Sequence, residues 1–142
     1  MMKRLISAGL FLLLAVAGSP VFGQEKKHDH GGHHMTPEMK KQHDTMRTIQ
    51  MEWTKAEKAL SKQDMKTARM SVEKMVVAGA YMLQFQLHKN SENHEQFIEL
   101  TEEFRQRLNK LITSLKAGTF EDAQGHAAAV NKTCDNCHLA FR

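Results

Sequence analysis

From residue 36 onward, apolar side chains recur at three- and four-residue steps, in four blocks divided by short polar breaks. Met39, Met46, Ile49, Trp53, Ala56 and Leu60 share one helical face. Met65, Ala68, Val72, Met75, Gly79, Met82 and Phe85 or Gln86 form the next stripe, and Phe97, Leu100, Phe104, Leu108, Leu111 and Leu115 the third. Phe120, Ala123, Ala127, Val130, Cys134, Cys137 and Phe141 complete the set. A stripe that keeps this spacing belongs to an amphipathic helix, because 3.6 residues per turn return those positions to one side.

The breaks carry matching signals. Thr36 and Pro37 suit an N-cap and first helical position, with Glu38 placed well for the helix dipole. Asp64 suits a second cap after Ser61-Lys62-Gln63, and residues 88–94 read as a polar turn. Gly118 suits a helix stop, and Thr119 with Asp122 suits a capping box for the last helix. Four helices of roughly 22 to 26 residues are predicted, about 33 to 39 Å each. No block alternates with period two. Connections this short predict antiparallel neighbours, hence an all-α, up-down-up-down four-helix bundle.

The chain opens differently. Met1 to Arg4 and then the apolar run Leu5 to Ala17 precede Gly18-Ser19-Pro20-Val21-Phe22-Gly23. This pattern predicts a signal peptide over 1–23, cut after Gly23, too short in its apolar part for a membrane span. No cysteine stands at its cleavage region, so no lipoprotein anchor is expected. Residues 24–35 hold His28, His30, His33 and His34 among Gly, Asp and Lys, a composition expected of a flexible His-rich tail able to bind Zn, Cu or Ni loosely. Residues 36–142 are expected to form the single domain. Without Lys3 and Arg4, 18 basic residues face 16 acidic ones, a balance that argues against a nucleic-acid partner.

Both cysteines of the protein lie in one stretch, Cys134-Asp135-Asn136-Cys137-His138. Export takes thiols to an oxidising compartment, where they are expected as a disulfide, in a metal site or covalently trapped. The spacing C-x-x-C-H fits haem attachment: each thiol adds across a vinyl group and the imidazole ligates iron. A thioredoxin-like disulfide wants a βαβ setting and a helix N-terminus, neither expected here. Zinc wants four ligands, and only His43 offers itself as a fourth. One covalent haem c per chain is therefore the expected cofactor, with Cys134, Cys137 and His138 holding it.

Cys134 to Arg142 resembles the haem-binding end of the cytochrome c′ family, the class II c-type cytochromes. Residues 46–142 are also similar to cytochrome b562 at Met46-x-Thr48-Ile49, Glu57-Lys58-Ala59, Ala123-Gln124, Thr133, His138 and Arg142. The departure from cytochrome b562 lies at Cys134 and Cys137, which it lacks. Levelling Leu60 with Phe120 places Gln42 opposite His138, with His43 nearest and Met39 and Met46 about 4.5 and 6 Å away. Register alone leaves these three open as the sixth ligand; the cytochrome b562 resemblance implies Met46. Arg142 is a candidate for a haem propionate.

The expectation is a periplasmic one-electron carrier with His/Met iron, redox partner proteins, no enzymatic activity and no stable membrane insertion, as monomer or homodimer. A five-coordinate cytochrome binding NO or CO is the alternative within the fold. A periplasmic metal-handling protein using its His-rich tail is the alternative outside it.

Overall fold

The computed structural model describes residues 35–87 and 90–141, and those residues are all-α. Helices α1 (Pro37–Leu60), α2 (Met65–Met82), α3 (His94–Ala117) and α4 (Phe120–Phe141) follow one another, with a 3-10 turn at Ser91–Asn93 before α3. Residues 1–23, expected from the sequence to be a signal peptide, the His-rich stretch up to His34, His88 and Arg142 lie outside the described residues. No helix among the described residues is long and apolar enough to cross a membrane.

The punctuation read from the sequence holds at three of four places. Thr36 Oγ1 accepts the Met39 N–H at 3.2 Å, with Pro37 opening α1. Asp64 Oδ1 accepts the Thr67 N–H at 3.0 Å. Gly118 ends α3 at φ 75°, a left-handed turn that a Cβ would strain. Thr119 departs: instead of a capping box, its hydroxyl donates to the Ser114 carbonyl at 3.4 Å, closing α3 rather than opening α4.

Helix α2 is also shorter than its stripe, 18 residues ending at Met82. Gln84 and Phe85 donate instead to Tyr81 and Met82, the tighter i→i+3 pattern of a closing turn. Freed from the helix, Phe85 stacks on Phe97 with centroids 6.4 Å apart.

Consecutive helices pack on one another through the predicted stripes. Ala56, Ala68, Val72, Met75, Leu108, Leu111, Ala123 and Val130 are wholly enclosed. Burying one such large apolar side chain stabilises by about 1.5–3 kcal/mol, so this column holds the helices together. Gly79 lets α3 approach: a Cβ there would meet Phe104 Cε1 at 3.3 Å.

Two polar links were not legible as stripe. Glu52 is buried against α2, taking Lys55 Nζ at 2.6 Å and lying 3.8 Å from Lys74 Nζ. The Lys55 hydrogen bond, supported by both ammonium charges, holds its carboxyl below the usual carboxylate range. Buried Trp53 donates from Nε1 to Asn131 Oδ1 at 2.7 Å, and Asn131 Nδ2 donates to Glu57 Oε1 at 3.0 Å. This clasp ties α1 to α4.

Candidate functional site

Past the Trp53 clasp, the apolar column gives way to a cavity of about 510 Å³. That is within the range of about 300–1,000 Å³ usual for ligand pockets. On α4 its wall is Cys137, His138 and Phe141; on α1 it is Gln42, His43, Met46, Arg47 and Gln50. Met82 ends the α2 side, and Phe85, Gln86 and Leu87 of the following turn complete it with Phe97 of α3. A second void of about 30 Å³ is lined by Met46, Met82, Cys134, Cys137 and His138, with Ile49, Leu100, Phe104 and Thr133.

The aromatic floor is built from three elements. Phe97 is buried, takes Phe141 edge-on at 5.4 Å and stacks with Phe85 and with His94, which is exposed. Asn90, in the left-handed conformation at φ 53°, donates its side-chain amide to the Ala140 carbonyl. The turn before α3 is thereby fastened to the end of α4, three residues from Cys137.

Cys134 and Cys137 are half-buried free thiols. Burial, reinforced by Cys137 and Asp135 close by, pushes the Cys134 thiol up to about 11, and burial pushes Cys137 up as well. Both stay protonated at neutral pH, at the C-terminal end of a helix. This is the reverse of a reactive redox pair, whose thiolate is favoured. Thr133 joins the buried stripe of α4, its hydroxyl donating to the Ala129 carbonyl at 3.1 Å, while Cys134 packs half-buried against the core beside the smaller void and Cys137 lines both voids.

His138 is half-buried, and its imidazole makes no hydrogen bond among the described residues. No three His, Cys, Asp or Glu side chains among the described residues converge as a metal site, so a zinc set with His43 is not assembled. Of the three sixth-ligand candidates, Met46 borders both voids, His43 borders only the larger and is exposed, and Met39 borders neither. Met82, read from the sequence as packing, is buried and borders both. Its place in the α2 stripe gave no sign of this, because the last turn of a stripe reads alike whether it meets core or cavity. Trp53 is core, as its place in the α1 stripe predicts, and His126 is half-buried.

No family model matches the chain, and neither a curated protein nor a solved structure matches it. The residues of the cavity therefore carry the functional reading by themselves.

Proposed function

We propose that this chain is an exported class II c-type cytochrome: an antiparallel up-down-up-down four-helix bundle that carries single electrons on one covalently bound haem c. The observation that carries the reading is the meeting of Cys137, His138 and Met46 on one large, mainly apolar cavity, with Cys134 on the adjoining void. Two protonated, accessible thiols three residues apart on a helix suit addition to two vinyl groups. The His138 imidazole, with no hydrogen-bond partner among the described residues, is available to iron. When bound, the haem supplies a one-electron ferric/ferrous couple.

Register supports Met46 as the partner of His138. The Trp53–Asn131 hydrogen bond levels those two residues. Met46 precedes Trp53 by seven residues and His138 follows Asn131 by seven. In antiparallel helices both lie about 10 Å beyond the clasp, two turns on and on nearly the same face. Levelling by Leu60 and Phe120 had pointed one turn away, at Gln42; the clasp shifts the match by four residues.

In this arrangement Cys134 and Cys137 would retain the macrocycle, and His138 and Met46 would hold its iron. The Met46 thioether, a weaker donor to ferric than to ferrous iron, raises the potential relative to two imidazoles. Met82, Phe85, Phe97 and Phe141 exclude water. Electron transfer with exported redox partners is the role proposed. The 30 Å³ apolar void beside Met46 favours one second reading, a five-coordinate protein that admits NO or CO.

The ferric absorption spectrum and CO binding distinguish the two. Wild-type protein is expected to be low-spin with the weak long-wavelength sulfur-to-iron band. Met46→Ala erases that band and opens the iron to CO, while Met39→Ala, His43→Ala and Met82→Leu keep it. Wild-type protein that is already high-spin and takes CO without losing a ligand overturns Met46 ligation in favour of gas binding.

A further inference from the structure

The cavity is apolar along α2 and α3, carries His138 beside Cys137 and Phe141 on α4, and has most of its polar groups along α1, and among the described residues lining it Arg47 is the one permanently charged side chain. The other described arginines are engaged. Arg69 lies 3.7 Å from Glu73, Arg105 donates to Glu102 at 2.8 Å, and Arg107 to Glu103 at 3.1 Å. Arg47 has a carboxylate within helical reach, Asp44 three residues back, yet no ion pair or hydrogen bond forms between them. Asp44 instead lines a separate groove on the α2 side with Lys40, Lys41 and Tyr81. An exposed guanidinium at the cavity rim, with no ion pair among the described residues, is available to an anion that arrives with the ligand, and its planar fork matches a carboxylate. Gln50, three residues on and sharing the face, adds an amide donor on the same rim.

We infer that Arg47 is the carboxylate-binding residue of this cavity, holding a propionate of the haem with Gln50 beside it. The inference rests on the haem reading above. Arg142, the arginine expected from the sequence in that role, lies outside the described residues, whereas Arg47 lines the cavity itself. A cation beside the propionate has two consequences. It brings the pKa of that propionate down, favouring the carboxylate, and it stabilises ferrous iron, the less positive state.

The test is redox titration of the holoprotein between pH 4 and 9 at fixed ionic strength, for wild type, Arg47→Gln, Arg47→Lys and Lys41→Gln. Lys41 is a surface control, its ammonium lying over the Tyr81 ring at 5.1 Å and outside the haem cavity. Arg47→Gln is expected to shift the ferrous/ferric equilibrium toward ferric by about three- to tenfold, a potential lower by about 30 to 59 mV. The pH at which the potential changes slope moves upward in the same variant. Arg47→Lys recovers part of both effects, and Lys41→Gln neither. Superimposable titrations of Arg47→Gln and wild type, with haem still covalent, overturn the Arg47 assignment and leave the haem reading standing. An equal shift in Lys41→Gln also overturns it, as a general surface-charge effect. Protein that never acquires haem overturns the haem reading itself.

Discussion

Replacing Asn131 by Ala probes the clasp that levels Met46 with His138. Asn131 accepts from Trp53 Nε1 at 2.7 Å and donates to Glu57 at 3.0 Å. The two bonds differ in worth. Glu57 and Asn131 are exposed, so water replaces their contact at little cost. Trp53 is 5% exposed, and its indole N–H loses its acceptor inside the protein. Such a stranded donor costs about 1–3 kcal/mol. Ala returns up to about 0.7 kcal/mol of helix propensity over Asn. The net loss is about 1–2 kcal/mol, a fall in Tm of about 4–10 °C for a domain of this size. Chemical denaturation followed by helical circular dichroism measures it, with Trp53→Phe completing a double-mutant cycle. In the Trp53→Phe background Asn131→Ala is expected to become nearly neutral, since Phe has no N–H to strand. An equal cost in both backgrounds, or a loss under about 0.3 kcal/mol in the wild type, would refute the clasp as a link between α1 and α4.

Four further outcomes follow from particular residues. Before haem attachment, folding stability falls as pH rises from 9.0 toward about 11, because the unfolded Cys134 thiol ionises at the lower value and the folded one at the higher; a flat alkaline limb in denaturant titrations of the haem-free protein contradicts this. Glu52 works in the opposite sense: its lowered folded pKa stabilises above its ordinary 4.5 and that contribution is lost as pH falls through the lowered value, so Glu52→Gln flattens the acid limb. Gly118→Ala costs about 1–2 kcal/mol through its left-handed φ alone, as nothing lies near the added Cβ, and thermal melts read it. Deleting 24–34 leaves the haem spectrum and Tm unchanged, the segment having no apolar stripe to join the core; a large loss of either would show that the tail packs on the domain.

Helix faces were legible because burial of an apolar stripe repeats along the chain, and Pro37, Asp64 and Gly118 mark helix ends through their own backbone chemistry. The end of α2 was not, because Phe85 continues the period in sequence while its ring leaves the helix for Phe97. Glu52 was invisible for another reason: a carboxylate inside a stripe is tolerated only where Lys55 and Lys74 meet it, and Lys74 is on another helix. The candidate site shows the same division. Cys134, Cys137 and His138 declare themselves by local spacing. The level of Met46, by contrast, depends on a bond between residues 78 positions apart, for which no spacing rule exists. Arg47 is distinguished by lining the cavity with no ion pair among the described residues, and that becomes visible once its neighbours' partners are known.

Covalent haem is tested most directly by acid–organic extraction of the purified, denatured protein, read by absorption in both phases. With thioether bonds at Cys134 and Cys137, the haem band is expected to stay with the polypeptide, and replacing both cysteines abolishes that retention. Haem passing entirely into the organic phase, or a purified exported protein with no haem band at all, would contradict it.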